Sequence, residues 1–133
     1  MKTKLHVASK VVHEAMWRAL RDSGTPGVEI ISRWIDDPTD ARDMVAWCLQ
    51  DVARADATIL YMREDERLGT ALVEVGAALA LRKRVLWVGP VGYYSVARTG
   101  AVERYSSLGQ ALLVLSATSH DAWQALVKGE GQS

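Results

Sequence analysis

Short apolar runs alternating with helical patterns leave this chain few folds to choose from. Leu5 to Ala8 reads as a strand, and a helix follows from about Ser9 to Ser23. Val12, Met16, Ala19 and Leu20 give that helix an apolar stripe, with Ser9 as its expected N-cap. Gly24-Thr25-Pro26-Gly27 is a turn, and Val28 to Ser32 a second strand. The Asp36–Asp40 segment leads into a helix striped by Val45, Cys48, Leu49 and Val52. Ala57 to Tyr61 is a third strand, Leu68 to Leu81 a helix-like run, and Arg84 to Val88 a fourth strand. Leu112 to Leu115 reads as a fifth, with a closing helix from Ser119 to about Lys128. Strand and helix in this order predict an α/β fold: a single domain built on an open, mostly parallel five-stranded sheet with helices on both faces, Rossmann-like or flavodoxin-like. The domain is expected over 1–128, with 129–133 as a loose C-terminal tail. The long connection from Gly89 to Gly109, carrying Tyr93, Tyr94, Arg98, Arg104 and Tyr105, is expected to be a subunit-interface loop.

Composition narrows the partners. A chain of 133 residues is long enough to bury one core. Lys+Arg 16 balances Asp+Glu 16, which argues against a nucleic-acid footprint or a polybasic membrane surface. No apolar stretch reaches the ~18 residues of a membrane span. A single cysteine leaves no internal disulfide and no Cys-based zinc site, and fits a reducing cytoplasm. No cluster of His, Asp and Glu has metal spacing, no Gly-x-Gly-x-x-Gly follows the first strand, and there is no P-loop. Neither a metal nor a cofactor is therefore expected.

Glu74 stands out chemically. It is nearly alone as a polar group in Leu68–Leu81, and its neighbours one helical turn away are Thr70, Ala71, Ala77 and Ala78. A face of small residues admits either a close backbone or a ligand. A charge buried there without a partner would cost several kcal/mol, on the order of the usual desolvation penalty. Its compensation is either a ligand or catalytic role, or an Arg or solvent within reach.

Ligands in such sheets bind outside the carboxyl ends of the strands. Those ends bring Ser9 and Lys10, then Arg33 and Trp34, to the same edge as the Glu74 helix, whose start carries Gly69 and Thr70. If Thr70 caps that helix, Glu74 lies about one turn from its positive dipole end, which suits a carboxylate nucleophile. His13 and Trp17, one turn apart, form either a solvated flank or a pocket wall. His6, inside the first strand, reads first as a core histidine. Arg63 to Arg67 reads as a solvated turn.

The run Asp56-Ala57-Thr58-Ile59-Leu60, then Gly69 to Ala80 with its Glu-Val-Gly-Ala-Ala segment, then Lys83-Arg84-Val85-Leu86, resembles the nucleoside 2-deoxyribosyltransferase-like family, in a small divergent subgroup. The opening Leu5-His6-Val7-Ala8-Ser9 is similar to that family's first strand and nucleotide-binding turn. The resemblance implies chemistry at a nucleoside N-glycosidic bond. A Glu at the position of Glu74 attacks the anomeric carbon, and water or a second base then takes the sugar. It also implies dimers or larger homo-oligomers. Three positions depart from the family pattern. Cys48 stands where the family has an Asp, His6 where it has a Tyr, and Leu68 where transferases have another Asp. Asp51 lies one turn from Cys48. The departures imply a site rebuilt around His6, His13 and Asp36/Asp37, or a pocket that binds without turning over.

The leading expectation is a nucleoside or nucleotide N-glycosidic enzyme, a deoxyribosyltransferase or an N-hydrolase, with Glu74 as covalent nucleophile. His6, Ser9, Lys10, His13, Arg33, Trp34, Gly69 and Thr70 are its expected substrate contacts. Lys10 and Arg33 would meet a phosphate, and Trp34 would stack on a base. The alternative is a non-catalytic module that binds a nucleotide or its derivative in the same pocket.

Overall fold

The computed structural model describes residues 2–36, 41–64, 66–92, 94–117 and 123–125. Five strands run β1 (Thr3–Ser9), β2 (Val28–Ile30), β3 (Ala57–Tyr61), β4 (Arg84–Val88) and β5 (Val102–Tyr105). Four helices accompany them: α1 (Glu14–Ser23), α2 (Ala41–Arg54), α3 (Thr70–Ala80) and α4 (Leu108–Ala117). The strands pair in the order β2-β1-β3-β4-β5, and every pair is parallel. This is the flavodoxin-like order, with its reversal between β1 and β3.

Strand side chains alternate across the sheet, and the two cores follow that period. Leu5, Val7, Ile59, Tyr61, Leu86 and Val88 point to one face, where Trp17 of α1 and Ala111, Leu112 and Leu115 of α4 cover them. Ala8, Leu60, Val85 and Trp87 point to the other, against Val52 of α2 and Ala71, Val75 and Ala78 of α3. His6 belongs by the same alternation to the α2/α3 face. At the end of β4 the chain turns through Gly89 with a φ of +126°, where a Cβ would overlap the carbonyl oxygen of Met62. That close pass keeps the ends of β3 and β4 together.

Three expectations are corrected. Leu112 to Leu115 is helical, not a strand. Its buried positions, Ala111, Leu112 and Leu115, follow helical spacing, while Leu113 is 69% exposed. A short apolar run cannot be assigned to strand or helix by periodicity alone. The fifth strand is instead Val-Glu-Arg-Tyr, inside the segment read as a loop. It is an edge strand, so only part of its surface is buried and its polar residues hide the pattern. Ser9 does not cap the first helix. It ends β1, and one 3-10 turn, Val11–His13, precedes α1. The closing helix expected over 119–128 lies mostly outside the described residues, as do Asp37, Asp65, Tyr93 and the tail 129–133. Among the described residues no helix is long and apolar enough to cross a membrane.

Candidate active site

A cavity of about 270 Å³ opens where the sheet order reverses, beyond the carboxyl ends of β1 and β3. That volume lies near the lower end of small-molecule sites, roughly 300 Å³. The end of β1 contributes Ser9 and Lys10, α2 contributes Cys48, and the 3-10 turn Arg33–Ile35 contributes Trp34. The start of α3 supplies Gly69, Thr70 and Glu74. Gly69 occupies the N-cap position without a side-chain cap, so Thr70 begins the helix and does not cap it. Glu74 is consequently the fifth helical residue, just past the first turn, on the side where the helix dipole is positive.

Glu74 is 6% exposed and has partners on both sides. Its Oε1 lies 2.5 Å from Nε2 of the fully buried His6. The other imidazole nitrogen, Nδ1, lies 2.7 Å from Ser32 Oγ, which accepts the Val7 backbone N–H at 2.8 Å. One proton arrangement satisfies the whole chain: Ser32 O–H donates to Nδ1, and Nε2–H donates to the carboxylate. His6 thereby fixes the orientation of Glu74, and a backbone amide anchors His6 through Ser32. The Cys48 thiol lies beside Glu74, their nearest ligand atoms within 4.8 Å; burial first, and then the nearby carboxylate, pushes its pKa well above the ordinary thiol value.

The expected contact residues divide into two groups. Ser9, Lys10, Trp34, Gly69 and Thr70 line the cavity with Glu74. Lys10 is exposed at the mouth. Trp34 is held as a wall, 2% exposed, with its indole N–H donating to the Val7 carbonyl at 2.8 Å. His6 lies behind Glu74. Arg33 and His13 are not part of the lining. Arg33 turns onto α2, where its Nε donates to Asp51 Oδ1 at 3.0 Å and its backbone N–H to Oδ2 at 3.0 Å. Its Nη2 donates to Gln50 and to the Trp47 carbonyl. Asp51, fully buried, therefore anchors the turn that carries Trp34, and Arg54 reaches it as well.

His13 and Trp17 are neither a solvated flank nor a wall of this cavity. Both are buried, and both set their rings edge-on against Tyr61. His13 Nε2 meets Glu66 Oε1 at 2.6 Å, so Glu66 is partly buried in what was expected to be a solvated turn. Asp36 lies outside the cavity lining and pairs with Arg21 at 2.8 Å, which holds its carboxyl below the usual carboxylate range.

Two site residues carry no local signal in the sequence. Ser32 reads as a strand end. Cys48 reads as one position of an apolar stripe, and only its place in the family pattern, where an Asp is expected, marks it. His6 Nε2, Cys48 Sγ and a Glu74 oxygen all lie within 4.8 Å of one another, a convergence of three ligand-type groups that sequence spacing cannot show.

No protein-family model matches the chain, and no curated protein does. Among solved structures, the fold is similar to that of a CMP N-glycosidase, BcmB, from Clostridium botulinum. The TM-score is 0.53 at 15% identity, over 86% of this chain and 98% of that one. At this identity the likeness establishes the architecture alone.

Proposed function

We propose that the protein hydrolyses the N-glycosidic bond of a nucleoside or nucleotide, with Glu74 as nucleophile. The observation that carries the reading is a carboxylate lining the cavity at the switch point of the sheet, oriented from behind by His6 at 2.5 Å. Support also comes from the resemblance in sequence pattern and from the fold shared with a nucleotide N-glycosidase.

The chemistry is a double displacement. A Glu74 oxygen attacks the anomeric carbon, and the bonding pair of the C–N bond leaves with the base nitrogen. The base takes up a proton. Water then attacks the anomeric carbon of the glycosyl ester, returns a proton to solvent and frees the sugar. The Nε2–H of His6 holds the carboxylate in one rotamer, so the attacking oxygen loses little freedom on reaching the sugar. Trp34 offers an indole face to the base, and Lys10 at the mouth offers an ammonium to a 5′-phosphate. Arg33 has no part in phosphate binding in this reading, because its guanidinium is committed to Asp51, Gln50 and Trp47.

The test is to incubate the protein with a panel of nucleosides and 5′-monophosphates and to follow free base by chromatography. Base release that Glu74→Gln abolishes is the expected result; release that survives this substitution unaltered rejects the assignment.

One observation favours the binding-module reading. Glu74 is the sole carboxylate among the described residues of the lining, so no second carboxyl stands ready to protonate the leaving base. Tight nucleotide binding without base release would select that reading. Self-association, through the segment from Gly89 to Gly109, also belongs to the proposal; a monomer by light scattering at micromolar concentration contradicts it.

A further inference from the structure

We infer that His6, Cys48 and Glu74 form a metal site that takes a zinc-class divalent ion, with its open position facing the cavity. The inference shares Glu74 with the proposed function but does not rest on it. Three different strands and helices bring these side chains together: His6 from β1, Cys48 from α2 and Glu74 from α3. All three are buried, and their ligand atoms lie within 4.8 Å of one another. Two ligands bound tetrahedrally to one zinc sit roughly 3.3–3.7 Å apart, from bond lengths of about 2.0–2.3 Å. The cluster therefore needs only a small side-chain adjustment. His6 and Glu74, now 2.5 Å apart across a proton, must part by about 1 Å as the ion takes that proton's place.

The donor set selects the ion. One imidazole, one thiolate and one carboxylate suit a borderline-soft cation such as Zn²⁺ or Co²⁺, and not Mg²⁺ or Ca²⁺, which prefer oxygen throughout. Three protein ligands with a fourth position left open is the arrangement of solvent-accessible zinc sites. Cys48 and Glu74 line the cavity, so an ion has a route in. The outer shell is already built. Ser32 Oγ sits 2.7 Å from His6 Nδ1 and is itself held by the Val7 amide. When Nε2 binds metal, the imidazole proton moves to Nδ1 and is donated to Ser32 Oγ, the kind of partner that orients metal-bound histidines. The thiol proton leaves to solvent as the sulfur–metal bond forms, one proton per ion. A metal so bound occupies the Glu74 carboxylate, so metal binding and attack on a sugar exclude one another.

Titration of the reduced, full-length protein with Co²⁺ tests the site without any substrate. The expected result is a thiolate-to-cobalt charge-transfer band in the near ultraviolet, with visible bands of a four-coordinate ion. Both saturate at one ion per chain and disappear when Zn²⁺ is added. Cys48→Ser, close to isosteric, is expected to keep the fold by circular dichroism and to lose the charge-transfer band. Ser32→Ala is expected to weaken binding roughly 10–100-fold, the usual effect of removing an outer-shell partner. A cobalt spectrum that stays that of the hydrated ion overturns the inference, and so does a Cys48→Ser protein with unchanged spectrum and affinity. In a preparation that releases base, zinc at saturation is expected to stop release and EDTA to restore it. Release that continues with one zinc bound removes Glu74 from the ligand set and overturns the site as drawn. Absence of base release with an intact cobalt spectrum rejects the proposed function alone.

Discussion

Glu74 Oε1 and His6 Nε2 meet at 2.5 Å inside the sheet–helix interface, although 68 residues separate them in the chain. The contact joins the inner strand β1 to the start of α3, beside the point where the strand order reverses. A carboxylate held there has a buried donor behind it and a cavity in front. It can be rigid and reachable at once, which a nucleophile requires.

Substitution of Glu74 by Gln separates chemistry from fold. The amide keeps the size of the side chain, and its oxygen still accepts the His6 N–H. What disappears is the carboxylate oxygen to which the proposed mechanism gives the attack on the sugar. Base release is expected to fall on the order of 10³-fold or more, with a melting temperature close to that of the parent. Steady-state assays by chromatography and a thermal melt check both halves.

His6→Phe removes the donor and leaves a nearly buried carboxylate short of a partner. The expected cost is about 2–4 kcal/mol, read by urea or guanidinium denaturation. His6→Phe combined with Glu74→Leu replaces both polar partners by apolar groups of similar size, and most of that loss is expected to return. A double variant as unstable as the sum of the two singles would mean that the residues do not interact energetically.

What could be read in advance follows from how local each signal is. β3 and β4 are mostly apolar runs buried on both faces, and both lie where their composition puts them, Ala57–Tyr61 and Arg84–Val88. β5 escaped because Val102–Tyr105 is an edge strand with two charged residues. Leu112–Leu115 misled because helix and strand share short apolar runs. Glu74 was legible as a lone acid on a face of small residues. Its partners were not, since the meeting of His6, Cys48 and Ser32 depends on strand order and on which face of α2 turns inward. Arg33 shows the converse: its position beside Trp34 pointed at the pocket, while the buried Asp51 draws its guanidinium away.

Gly89→Ala tests the backbone that frames the cavity. Gly89 has a φ of +126°, a conformation that L side chains rarely adopt, and a methyl group there would meet the Met62 carbonyl oxygen. Neither obstacle is a flexible side chain that could swing aside. The substitution is expected to destabilise by about 1–3 kcal/mol, measured by chemical denaturation. A variant as stable as the parent would mean that the turn after β4 relaxes freely.

The alkaline limit of stability tests the far edge of the sheet. Tyr105 ends β5, and its hydroxyl donates to Glu103 Oε1 at 2.7 Å. Glu103 in turn forms a two-pronged pair with Arg84, whose nitrogens lie 2.5 and 2.8 Å from its two oxygens. Burial first, and then the Glu103 carboxylate, raises the Tyr105 pKa from 10.0 to about 12. The folded state thus holds the phenolic proton more tightly than the unfolded chain does. Between pH 10 and about 12 the unfolded chain loses that proton while the folded one keeps it, so stability falls as pH rises through this window. Below pH 10 the contribution is complete. Tyr105→Phe removes the titrating group, so the stability difference between parent and variant is expected to be constant below pH 10 and to shrink towards pH 12. Thermal melts of the two proteins across this range check it, and parallel curves up to pH 12 would show that the hydroxyl is not held by Glu103.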